Sequence, residues 1–115
     1  MKFYHYPKCG TCRKASKWLA DHGIEVEAID IVDSPPSKSR LEDYYKRSGR
    51  ELKAFFNTSG QSYRQGDFKE KLATMSDAQM LGALAADGKL IKRPLLDTGS
   101  RVFVGFREED YAELR

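Results

Sequence analysis

The chain has 115 residues, of which 40% are apolar and 32% charged, and 20 Lys and Arg stand against 17 Asp and Glu for a net charge of +3. That length suits one domain with its own core and is too short for two ordinary ones, and the balance excludes a disordered composition. No run approaches the ~18 apolar residues of a membrane span, and the basic residues alternate with acidic ones, as in SKSRLEDYYKRSGRELK, so no one-sided stripe for direct nucleic-acid binding is expected.

The first residues, Met1-Lys2-Phe3-Tyr4-His5-Tyr6-Pro7, lack the apolar stretch and small-residue cleavage site of a secretory signal, so a cytoplasmic location is expected. Lys2 to Tyr6 alternates with aromatic weight and predicts a strand that Pro7 cannot continue. From Thr11 the period changes. Ala15, Trp18 and Leu19 recur at helical spacing, and Gly23 is a stop. Ile24 to Ile31 alternates apolar and polar residues and predicts a second strand, which completes a strand, helix, strand unit.

A Ser-Pro-Pro start, apolar positions at Leu41, Tyr44 and Tyr45, and Gly49 predict the next helix. A short helix over Leu52 to Phe56 and a polar loop, NTSGQS, follow. Ser76 with Gln79 has the pattern of a capping box for a helix to about Asp87, ended by Gly88 and presenting Met80, Leu81 and Leu84. LLD and RVFVGF predict two strands joined at TGS, and REEDYAELR a terminal helix with acidic residues in its first turn. Parallel pairing at the start and a hairpin at the end predict an α/β protein with a four-stranded mixed sheet. This is the thioredoxin-like plan, with a helical insertion over about 33–87.

Both cysteines, Cys9 and Cys12, fall where the first strand gives way to the helix. A pair of this spacing serves as a redox couple, as half of a metal site, or as two small core residues. At a helix N-terminus the free N–H groups and the macrodipole favour a thiolate and lower its pKa. Lys8, Arg13 and Lys14 add positive charge. Cys12 lies one turn further on the same side and can resolve a mixed disulfide formed by Cys9, and Gly10 and Thr11 put little bulk between them. A zinc site would need His5 and His22, but ten residues of helix, about 15 Å, separate Cys12 from His22. Trp18, Tyr44, Tyr45, Phe55 and Phe56 read as core, and Arg47 to Arg50, RSGR, as a helix end with solvated charge.

Three segments in order, YHYPKCGTCRKASKWL, IKRP and VGFREEDY, resemble the ArsC/Spx family, the glutaredoxin-linked arsenate reductases and their relatives. The resemblance covers nearly the whole chain, including the helical insertion. It implies that Cys9 is the nucleophile on an oxyanion or oxidised thiol, that Arg93 and Arg107 clamp the anion, and that Pro94 is a cis-proline facing the cysteine loop. Gly10, Thr11 and Arg13 complete the expected substrate-binding set. Two departures place the chain with the CxxC relatives: Cys12 stands where arsenate reductases carry serine, and Asn57 where they carry a further arginine. Arg64 is a candidate for the missing cation. The resemblance implies thioredoxin or glutaredoxin with glutathione as electron donor, and, for the Spx-type regulators, docking on the RNA polymerase alpha subunit. The Spx reading also expects a longer tail after the terminal helix. No nucleotide or flavin motif is present, so no bound organic cofactor is expected.

Overall fold

A computed structural model describes residues 1–114; Arg115, the last residue of the expected terminal helix, lies outside them. Four short strands, β1 (Lys2–His5), β2 (Glu27–Asp30), β3 (Leu95–Asp97) and β4 (Val102–Val104), form a mixed sheet in the order β2-β1-β3-β4. β1 runs parallel to β2, with Phe3 opposite Ala28, and antiparallel to β3, with Phe3 opposite Leu96. β3 and β4 form the hairpin, Leu96 facing Phe103. The sheet is the mixed α/β architecture anticipated from the alternating segments.

Alternation sends successive side chains to opposite faces. Phe3, Leu96 and Phe103 share one face with Ala15 and Leu19 of helix α1 (Gly10–Asp21) and Tyr111 of the last helix, α6 (Glu108–Tyr111). Tyr4, Leu95, Val102 and Val104 share the other with the larger cluster built by the segments between β2 and β3. Those segments comprise α2 (Lys38–Ser48), a 3₁₀ turn over Leu52–Phe55, α3 (Gln61–Gln65), α4 (Phe68–Lys71) and α5 (Asp77–Ala86). Leu41 and Tyr44 of α2, Phe55 and Phe56 after it, and Met80, Leu81 and Leu84 of α5 are all buried there.

Several boundaries differ from the sequence reading. β2 begins at Glu27 rather than Ile24, because the Ile24 N–H is used at 2.9 Å by the Leu19 carbonyl in closing α1, while Ile24 and Val26 pack beside the Phe3 cluster. Helix α2 starts after the prolines, at a Ser37 cap whose hydroxyl accepts the Arg40 N–H at 3.2 Å. Gln61 and Ser62, the last two residues of the expected NTSGQS loop, open α3, and α4 follows it, neither signalled by periodicity. The capping box of α5 is present in both directions, Ser76 Oγ with the Gln79 N–H and Gln79 Oε1 with the Ser76 N–H. The helix ends at Ala86, one cap before Gly88. Gly88 has a different role, since a Cβ there would overlap the Ile31 carbonyl oxygen; the turn carrying it lies directly on the backbone leaving β2. The terminal helix is shorter than expected, α6 giving way to a 3₁₀ turn over Ala112–Leu114.

Candidate active site

β1 ends at His5, and the chain turns through Tyr6, Pro7 and Lys8, closed by the Cys9 N–H donating to the Tyr6 carbonyl at 2.9 Å. Cys9 is thereby the N-cap of α1, extended at φ −90° and ψ 120°, and its carbonyl accepts the Arg13 N–H at 3.2 Å. No side-chain oxygen caps this helix. The sulfur of Cys9 instead meets the N–H groups of Thr11 and Cys12, the donors an N-terminus leaves free.

The two thiols are driven in opposite directions. Partial burial raises the Cys9 pKa, but the Cys12 N–H, the Cys12 thiol, the Arg93 guanidinium and the Thr11 N–H together prevail, and the net shift is downward. Cys12 is 1% exposed. Burial is the main force that pushes its thiol up to about 12; a contact from the Tyr6 backbone opposes this, and the neighbouring Cys9 adds to it. Both cysteines are free. One is therefore biased toward thiolate at the surface, and the other is kept protonated beneath it.

Cys9 opens into a cavity of about 520 Å³ whose wall also includes Thr11, Asn57, Phe106 and four cations, Arg50, Lys92, Arg93 and Arg107, with no carboxylate among the described residues. Arg93 is the cation tied most closely to the cysteine. Its guanidinium carbon lies 4.9 Å from the Tyr6 ring centroid, its Nη1 donates to the Lys89 carbonyl at 3.3 Å, and its Nε is buried without a partner. The Arg93–Pro94 peptide is cis. Arg107 sits at the cap of α6, mostly exposed, its Nε 3.7 Å from Glu109.

Of the residues singled out in the sequence, the structure gathers Cys9, Thr11, Arg93 and Arg107 on one wall, with Cys12 directly behind. Pro94 is buried with its carbonyl accepting the Gly105 N–H at 2.8 Å, and it does not line the cavity. Arg13 is exposed on α1 and does not line it. Gly10 is the first helical residue, and a Cβ there would meet nothing within 4 Å, so packing within the chain does not demand a glycine. Arg64, the candidate replacement for the arginine absent at Asn57, is exposed in α3 and off the wall.

Two cations went unrecognised in the sequence. As sequence, Arg50 belongs to the solvated charge of RSGR, and Lys92 has no role of its own inside IKRP. Arg50 carries no periodic or motif signal, because it is a loop residue placed by the fold, whereas Lys92 lies inside IKRP, beside Arg93. His22 stacks on Trp18 at 3.8 Å and its Nδ1 lies 2.8 Å from the Trp18 carbonyl, while His5 stacks on Phe3. Among the described residues no group of three or more His, Cys, Asp or Glu could hold a metal, and no helix is long and apolar enough to cross a membrane.

A mixed four-stranded sheet with a CxxC pair at the mouth of its first helix defines a protein of the thioredoxin-like class. The sequence profile of the ArsC family matches residues 4–114, and the chain belongs to that family. The uncharacterised protein YusI of Bacillus subtilis is 55% identical over 98% of this chain and 96% of its own length. The global transcriptional regulator Spx of Streptococcus pyogenes is 25% identical over 90% of this chain and 76% of its own. Among solved structures, an ArsC family related protein from Bacteroides fragilis superposes with a TM-score of 0.97 at 43% identity, covering 100% of this chain and 98% of that one. A possible arsenate reductase from Streptococcus mutans does so with a TM-score of 0.89 at 46% identity and 96% coverage of both.

Proposed function

We propose that this chain is a thiol-disulfide oxidoreductase in which Cys9 is the nucleophile and Cys12 the resolving thiol. The observation that carries the reading is the opposed bias of the two thiols, Cys9 lowered and Cys12 raised, at the wall of a cavity lined by cations. In thiol exchange the Cys9 thiolate attacks one sulfur of a substrate disulfide, forming a mixed disulfide and expelling the other half as a thiolate that takes up a proton. Cys12 then loses its proton and attacks the Cys9 sulfur. The second half leaves as a thiol, the substrate has gained two electrons, and the protein holds a Cys9–Cys12 disulfide.

Burial of Cys12 fits this order. A protonated thiol does not compete for substrate, and it ionises when Cys9 is no longer a neighbouring anion, because the charge that helped to raise its pKa has gone into the covalent bond. Thioredoxin, or glutaredoxin with glutathione, would return two electrons to the pair. An oxyanion such as arsenate fits the same cavity, with Arg93 and Arg107 as its donors through paired N–H groups. In that case the Cys9 thiolate bonds to arsenic as one arsenate hydroxyl leaves with a proton as water. Cys12 then attacks the Cys9 sulfur, so that the bond's electron pair departs on arsenic as arsenite and the two cysteines are left as a disulfide.

The test is reduction of a disulfide and of arsenate by the purified chain with each reductant system. Cys9→Ser is expected to abolish both reactions, and a Cys9→Ser variant with full activity overturns the reading. A second reading, redox-controlled regulation through the RNA polymerase alpha subunit, is favoured by the likeness to Spx. Capture of the alpha subunit by one redox form and not the other would support it, and equal failure of both forms would remove it.

A further inference from the structure

Arg50 stands on the cavity wall with Cys9 although 41 positions separate them, and the way it is held differs from that of its neighbour Arg47. Arg47, on the last turn of α2, is committed to the fold: it bonds Asp43 at 2.8 Å and Asp97 at 2.9 Å, with its side chain 23% exposed. Arg50 follows the left-handed Gly49 that ends α2 (φ 69°), which turns the chain away from the helix. Its ion pair is a loose one, 3.8 Å to Asp110, and its side chain is 44% exposed. Asp110 belongs to α6, so the contact joins the helical insertion to the C-terminal helix, with Asp110 itself lying off the cavity wall.

The rest of the wall sets what such an arginine can do. Lys92, Arg93 and Arg107 join it, no acid among the described residues lines the cavity, and Asn57 is neutral. A volume of about 520 Å³ is within the ~300–1,000 Å³ of clefts that enclose drug-sized organic molecules, and far beyond a single tetrahedral oxyanion. Cys9 and Arg93 are in contact with one another on this wall, and sulfur chemistry would occur there. Arg50 offers a second positive contact, from a different segment of the fold.

We propose that Arg50 is a specificity-determining residue that binds a carboxylate carried by the substrate away from its reacting atom, with Asp110 holding the guanidinium until that carboxylate replaces it. This rests on the reading of Cys9 as a redox nucleophile and deepens it: the preferred substrate is an organic disulfide bearing carboxylates rather than a bare oxyanion. A planar guanidinium accommodates the exchange, since a free carboxylate can take two parallel N–H bonds, whereas Asp110 at 3.8 Å makes a contact too long for a hydrogen bond.

The test compares three disulfides of similar size, dianionic 3,3′-dithiodipropionate, neutral bis(2-hydroxyethyl) disulfide and dicationic cystamine, by the rate at which the reduced protein releases thiol from each. The expected order is dianion, neutral, dication. In Arg50→Gln the ratio of dianion to neutral rates should fall about tenfold, the scale of a charge-assisted hydrogen bond; in Asp110→Asn it should rise. An unchanged ratio in Arg50→Gln overturns the proposal. Binding of the unreactive thioether 3,3′-thiodipropionate to Cys9→Ser, with and without Arg50→Gln, separates this from the chemistry. Loss of affinity about tenfold is expected, and equal affinity refutes the role of Arg50. Failure to release thiol from any of the three disulfides instead refutes the redox reading, and the thioether measurement still decides the proposal.

Discussion

Arg93 lies between Tyr6 and Cys9, its guanidinium carbon 4.9 Å from the Tyr6 ring centroid and its charge among the contacts that lower the Cys9 thiol. The aromatic face and the Lys89 carbonyl hold the guanidinium from behind, so little ordering remains to be done when an anion forms in front of it. Arg93→Gln should therefore move the pH profile of Cys9 alkylation upward and leave several-fold less thiolate at neutral pH. An unshifted iodoacetamide profile would remove Arg93 from the activation of Cys9.

Cys12→Ser keeps the helix N-terminus and Arg93 while removing the sulfur proposed to resolve the intermediate. The variant should attack a disulfide once and stop, accumulating a mixed disulfide visible as an added mass on the intact protein, whereas the native chain shows a loss of two hydrogens. Turnover equal to that of the native chain would mean that an external thiol, not Cys12, resolves the intermediate.

Alkaline stability has a sign that follows from the two thiols. Cys12 is held up to about 12 in the fold and titrates near 8.5 when unfolded. Above that value the unfolded chain gives up a proton the folded chain retains, and stability falls as pH rises. Cys9, lowered in the fold, contributes in the opposite sense, but its contribution is complete once pH passes the unfolded value and adds no slope beyond it. Tyr44 and Tyr111, also raised by burial, enter only above about 10. Urea midpoints measured between about pH 8.5 and 9.5, before the tyrosines weigh heavily, should decline in the native chain and decline much less in Cys12→Ala.

Gly88→Ala probes the seam between the insertion and the sheet. The new methyl would collide with the Ile31 backbone, which cannot rotate away as a side chain could. A loss of about 1–3 kcal/mol or more is expected, read as a lower denaturation midpoint. By contrast Ser76→Ala, which removes one half of the α5 capping box, should cost about 1 kcal/mol.

The parts of the fold that were legible are those whose signal is local. Ala15, Trp18 and Leu19 marked α1, Ser76 and Gln79 marked α5, and the alternation around Phe3 and Phe103 marked the sheet. Helices α3 and α4 were not legible. They run five and four residues, bury no residue fully, and begin at Gly60 and at a left-handed Asp67 without a side-chain cap. The cysteine pair was legible because helix-terminal chemistry needs residues close in sequence, and Arg93 and Arg107 came through resemblance. Arg50 reaches the cavity only because distant loops converge there, and no pattern in one chain announces that, while Lys92 arrives as the neighbour of Arg93. Arg13, adjacent to Cys12 in sequence, turned outward with the helix, which shows how poorly nearness in sequence serves as a measure of nearness in space.

Strand β2 has consequences for how this chain behaves in company. It is an outer strand of the sheet, four residues long, opening with an exposed Glu27 and closing with Asp30, whose carboxylate accepts the Val32 and Asp33 N–H groups. The backbone donors just beyond the strand are thus already taken, and the carboxylates would repel a second copy laid alongside. So brief an edge, bounded by charge and finished by a side-chain turn, gives an incoming strand almost nothing to extend. At this edge a second copy of the chain finds little backbone to pair with.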